Sequence, residues 1–127
     1  MLFVGALFVD EGYYRKALSS LHAQFGPSMR ETPVVPWDYS NHYAGELGGP
    51  VLRRFVFFDG LIPQDAIREI KLKTIEIEAE FSIGGKRNIN LDPGYLTEAK
   101  VVLASTKDYS HRVCLGGGIY AEVTLVF

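Results

Sequence analysis

Cysteine is nearly absent. Cys114 stands alone, so no disulfide can close within the chain, which suits a reducing, cytoplasmic compartment better than secretion. Its neighbours Val113 and Leu115 predict a buried, unreactive thiol. Neither sign of charge is in excess: 13 Lys and Arg against 15 Asp and Glu leave a net charge of −2, without the basic surplus of a nucleic-acid-binding surface. The apolar opening, Leu2 to Val9, has no basic lead, is too short to span a bilayer and runs into Asp10-Glu11. Neither nucleic acid nor membrane is therefore an expected partner. Signature motifs are missing as well. Neither Gly48-Gly49-Pro50 nor Gly84-Gly85-Lys86-Arg87 meets the phosphate-cradling pattern GxxxxGK followed by Ser or Thr, so no cofactor is legible. No GxSxG elbow surrounds Ser105 or Ser110. His22, His42 and His111 show no HxxxH or HExxH spacing and no CxxC occurs, so a metal site would need folding to unite distant groups such as His111, Asp92 and Glu122.

What is present is the composition of an ordinary globular protein. Apolar residues make up 47% and charged residues 22% of 127, enough for one domain with its own core and too apolar for disorder. Residues 2–9 read as a central strand. Asp10 is placed to cap a helix over 11–25, where Tyr14, Ala17, Leu18, Leu21 and Phe25 recur at helical spacing before Gly26-Pro27. Pro33 and Pro36 make any strand in 28–37 an edge or a broken one. Residues 38–50 read as a loop with a helical turn near Tyr43 to Leu47. Residues 51–58 form a strand carrying Arg53 and Arg54.

Residues 63–83 fit both periods, because Ile67, Ile70, Thr74, Ile77 and Phe81 share a helical face while Ile75, Ile77, Ala79, Phe81 and Ile83 alternate. Pro63 at a first helical position and Gly84-Gly85 at the end favour helix over strand. A strand over 87–91 is expected to reverse at Asp92-Pro93-Gly94 in a type II turn. Leu96, Ala99, Val102 and Leu103 then predict a short helix over 96–105. A hairpin of 112–115 and 119–127 closes around Gly116-Gly117-Gly118. The expected architecture is α+β: five or six strands in a mixed or mostly antiparallel sheet, two main helices on one face, ferredoxin-like in its β-α-β-β-α-β order.

The strings VLRRFVFFDGLI, NLDPGYL, STKD and IYAEVTL resemble the uncharacterised family called domain of unknown function 4416, over nearly the whole chain. The resemblance implies no assigned activity. It also implies a continuation of several dozen residues past the strand ending at Phe127, so that a site completed by such a tail would not be legible from these residues.

Candidate chemistry concentrates in residues 105–112, Ser-Thr-Lys-Asp-Tyr-Ser-His-Arg. Lys107 and Arg112 offer charge-assisted hydrogen bonds to a phosphate or carboxylate, and His111 offers an imidazole to move a proton. The plainer alternative is a solvated polar loop. Asp92, fixed beside Pro93, is the second candidate, as a base or cation ligand; Arg87 and Lys71 add positive charge nearby. The expectation is that Arg87, Asp92, Lys107, His111 and Arg112 line one concave surface. Two functions follow as expectations: binding, with turnover by His111 and Asp92, of a small anionic ligand such as a phosphorylated metabolite or nucleotide; or a non-catalytic interaction module, a homodimer or complex subunit. The second would use the aromatic segment 36–43, with Trp37, Tyr39 and Tyr43, or the terminal strand. Those rings could equally fold back as a lid on the sheet.

Overall fold

The computed structural model describes residues 1–37 and 45–127. Strand β1 (Leu2–Phe8) is buried at every position. It runs between β4 (Leu52–Phe58) and β5 (Ile89–Leu96), antiparallel to both, and a strand so enclosed tolerates apolar side chains throughout. The remaining strands are β2 (Ser28–Glu31), β3 (Val35–Pro36), β6 (Lys100–Ser105), β7 (Val113–Gly116) and β8 (Ile119–Val126). Together they form one eight-stranded sheet in the order β2-β4-β1-β5-β6-β8-β7, with β3 also beside β4. Every pairing is antiparallel.

Helix α1 (Glu11–Phe25) starts at Asp10, whose Oδ1 accepts the Gly12 N–H at 2.7 Å, and stops at Gly26, where φ is 88°. Helix α2 (Ile67–Glu80) follows a 3-10 turn at Gln64–Ala66. Helix is thus what 63–83 forms, shortened at both ends. Both helices cover one face of the sheet, and Tyr14, Ala17, Leu21, Ile70 and Ile77 close the core over Leu2, Val4, Ala6, Phe8, Val56, Phe58, Ile89 and Leu91.

The α+β class holds, but the sheet has eight strands rather than five or six. One extra strand arises because 28–37 splits into β2 and β3, as its prolines dictate. The other is β6, over residues expected to be helical. Its apolar spacing suits a helix locally, yet pairing with β5 and β8 on its two sides satisfies the backbone of a segment rich in β-branched valine. The reversal at Asp92-Pro93-Gly94 is also absent. The chain runs straight through to Leu96 and turns at Thr97, whose Oγ1 accepts the N–H groups of Ala99 and Lys100.

Proline is accommodated mid-strand by its position in the ladder. Leu96 N–H points to β1, bonding Met1 O, so by alternation the Pro93 nitrogen faces away from β1, where β6 pairs only with Gly94 to Leu96. No ladder bond is lost there. The predicted hairpin around Gly116-Gly117-Gly118 forms as β7 and β8, all three glycines having positive φ. Cys114 is exposed rather than buried, because β7 is the sheet's outermost strand.

Two cross-strand glycines let aromatic rings lie flat on the face opposite the helices. Gly5 pairs with Phe55 and Gly94 with Phe3. A Cβ at Gly94 would sit 2.4 Å from both the Phe3 ring and the carbonyl oxygen of Val102. Gly94→Ala is predicted to cost about 1–3 kcal/mol or more. Removing the ring in Phe3→Ala should not rescue it, since the Val102 carbonyl stays; urea denaturation of the single and double variants checks both statements.

Candidate functional site

Where β6 leaves β5, the outer backbone of β5 needs other partners, and α2 supplies them. Lys71 Nζ donates to Leu91 O at 2.7 Å and Glu78 Oε2 accepts the Leu91 N–H at 2.6 Å. Lys71 is only 2% exposed, and its charge is matched by Asp92 Oδ1 at 3.0 Å. Asn90 Nδ2 donates to Asp92 Oδ2, and Asn90 Oδ1 accepts from Arg87 Nη1. Arg87 in turn grips Glu46 through its backbone N–H, Nε and Nη2, at 2.8–3.1 Å, with Glu78 Oε1 3.5 Å from Nη1. Burial holds the Glu78 carboxyl above the ordinary carboxylate range, although Lys71, the Leu91 N–H and Arg87 pull it down.

The Glu46 clamp anchors a short segment against the sheet. Residues 45–47 are helical, and Leu47 and Val51 pack with Leu7, Val9 and Trp37 into a small cluster separate from the main core. Trp37 is thus a lid residue; Tyr39 and Tyr43 lie outside the described residues.

The other expected site residues form a second group at the β7–β8 end. Arg112 bonds Glu122 Oε1 through Nε and Nη2 at 2.9 and 2.8 Å, and His111 Nε2 lies 3.3 Å from the same oxygen. Arg112 also donates to the backbone carbonyl of Lys107 and stacks on the Tyr109 ring. Burial raises the Glu122 carboxyl, but the bonds from Arg112 and His111 outweigh it and hold the group below its ordinary value. The single concave surface expected from the sequence is therefore replaced by two groups on either side of β6. Lys71, Arg87 and Asp92 meet in one, Lys107, His111 and Arg112 in the other, and each guanidinium is bound to carboxylates of its own group. Among the described residues no three His, Cys, Asp or Glu side chains gather to hold a metal ion. No helix among them is long and apolar enough to cross a membrane.

The sheet face opposite α1 and α2 carries a groove of about 510 Å³. Phe3, Leu7, Phe55, Phe57, Leu96, Val101 and Leu103 make its walls, with Gly5 at its floor and Trp37 at one end. Of the residues expected to form a site, only Asp92 lines it. Its other charged residue is Arg53, which the sequence reading passed over. Arg53 lies 4.3 Å from the Trp37 ring and 5.1 Å from that of Phe55, and its buried Nε has no hydrogen-bond partner. No carboxylate pairs with it among the described residues. Arg54, next to it, points to the other face and bonds Thr32 O, with Glu31 3.7 Å away. The signal was available: consecutive residues in a strand face opposite ways, so one of two adjacent arginines had to face the side away from the helices.

These features define a two-layer α+β domain with an open groove on the bare side of its sheet. The chain belongs to the family described as Domain of unknown function (DUF4416), whose model matches residues 1–127, as the NLDPGYL, STKD and IYAEVTL strings implied. No curated protein and no solved structure matches it.

The raised Glu78 carboxyl makes stability depend on pH. A group favouring its protonated form in the fold contributes fully below its unfolded value, here 4.5, and that contribution is lost as pH rises through the folded value. Glu78→Gln keeps an acceptor for the Leu91 N–H and removes the titration. Urea unfolding from pH 4.5 to 7 should show the variant lacking a stability decrease that the wild type has; equal slopes would contradict this account.

Proposed function

We propose that the groove binds a small amphipathic anion, with an apolar or aromatic body on the sheet and its charged group on Arg53. The observation that carries the reading is the Arg53 guanidinium: half-buried, stacked between Trp37 and Phe55, with no carboxylate partner among the described residues and an orphaned Nε. Ring faces compensate a cation only partly. A planar guanidinium set in an apolar wall is suited to a carboxylate, sulfonate or phosphate. The volume of about 510 Å³ falls in the range typical of small-molecule sites. The anionic class expected from the sequence is kept, while the cation shifts from Lys107, Arg112 and Arg87, each already engaged, to Arg53. Turnover by His111 finds no support in this arrangement, since His111 does not line the groove.

The test uses 1-anilinonaphthalene-8-sulfonate and its uncharged analogue N-phenyl-1-naphthylamine. Saturable fluorescence binding of both to the folded protein is expected. Arg53→Gln should weaken the sulfonate at least about tenfold and leave the uncharged analogue nearly unchanged. No saturable binding, or equal loss of both, would overturn the reading.

A second reading, a homodimeric interaction module, is favoured by β8. Its pairing with β7 stops at Ala121, so the outer edge from Glu122 to Val126 has no strand partner among the described residues. Val123, Leu125, Val126 and Phe127 are all more than half exposed. An unpaired edge that is apolar beyond Glu122 invites a second copy to extend the sheet. Light scattering coupled to size exclusion should then report a dimer that Val123→Lys converts to monomer; a wild type monomeric at high concentration would exclude it.

A further inference from the structure

We infer that the ligand of this groove carries a hydrogen-bond donor, a hydroxyl or an amine, at the end opposite its anionic group, and that Asp92 is the residue that selects it. The inference rests on the groove reading above and adds the second half of the ligand's chemistry. Arg53 and Asp92 project from β4 and β5 on the same face, with β1 between them: Arg53 pairs with Leu7, and Asp92 with Gly5. Two strand spacings and a two-residue offset along β1 put their backbones about 12 Å apart. The floor between them is Gly5, and Phe55 stands beside it. The groove therefore offers a cation at Arg53 and a carboxylate at Asp92 with an apolar stretch between them, and continues past Asp92 over Leu96, Val101 and Leu103.

Asp92 is held as a binding group is held. Its Oδ1 accepts from Lys71 Nζ at 3.0 Å and its Oδ2 from Asn90 Nδ2 at 2.9 Å. Neither support can swing away. Lys71 is buried and also tied to Leu91 O at 2.7 Å, while Asn90 is buried with its Oδ1 taken by Arg87 Nη1 at 2.7 Å, which fixes which end of the amide faces Asp92. Each carboxylate oxygen can accept a second hydrogen bond. The side chain is 26% exposed and lines the groove, so that unused capacity faces the ligand space. A carboxylate oriented by buried supports on a rigid strand suits discrimination, because a ligand lacking the donor would desolvate it without return.

Two probes differing by one donor test this: naphthalene-1-sulfonate and 5-aminonaphthalene-1-sulfonate, whose amine lies across the ring system from the sulfonate. By calorimetric titration the wild type should bind the amino compound about tenfold or more tightly. Asp92→Asn, with its fold checked by circular dichroism, should abolish the preference and still bind the plain sulfonate; Arg53→Gln should weaken both. Equal wild-type affinities, or a preference surviving in Asp92→Asn, would overturn the role of Asp92 while leaving the groove standing. The wild-type comparison decides even if Asp92→Asn does not fold. Failure of both probes to bind the wild type would overturn the groove reading and this inference together.

Discussion

β6 stays with β5 for three residues and then departs, and the backbone of β5 that it leaves behind must still be satisfied. An unpaired N–H or C=O buried at that edge would cost about 1–3 kcal/mol. Lys71 and Glu78 take both groups of Leu91, which requires two charged side chains from α2 in the interior. Charges so placed persist only when paired. Asp92 meets Lys71, Asn90 meets Asp92, Arg87 meets Asn90 and Glu78, and Glu46 meets Arg87. The network that began as a repair of a sheet edge thus reaches both the segment clamped by Glu46 and the carboxylate that lines the groove.

The two faces of the sheet are finished differently. α1 and α2 cover one with a continuous apolar core. On the other, Phe3 and Phe55 lie across their partner glycines, and Trp37, Leu47 and Val51 cover only the region around Leu7. The remainder is left as an apolar groove. Arg53 and Asp92 are its charged members, the first without a carboxylate partner among the described residues and the second held by Lys71 and Asn90. This difference separates a cation offered to a ligand from a carboxylate held in place for one.

Much of the framework was legible from local pattern. The apolar run of β1, the capped and glycine-stopped α1, the apolar face of α2 and the triple-glycine hairpin each carry signals that need no distant partner. The misread stretch, 92–105, is where local and distant preferences conflict. Pro93-Gly94 has the residue types of a turn and 96–103 the spacing of a helix. Those preferences amount to a fraction of a kcal/mol to about 1 kcal/mol per residue, and sheet pairing on both sides of a segment overrides them.

The sequence by itself determined the α+β class, the order of most elements, the family and the charge types available for a site. It also placed Lys71, Arg87 and Asp92 among the residues of interest. Only the tertiary structure decided which of those charges were already spoken for. Whether an arginine is offered to a ligand or bound to a neighbour depends on carboxylates brought in from other elements: Glu46 reaches Arg87 across 41 positions, Glu122 reaches Arg112 from the adjoining strand, and Arg53 receives none among the described residues. Ion pairing acts through space, at a few ångströms, and the fold alone sets those distances.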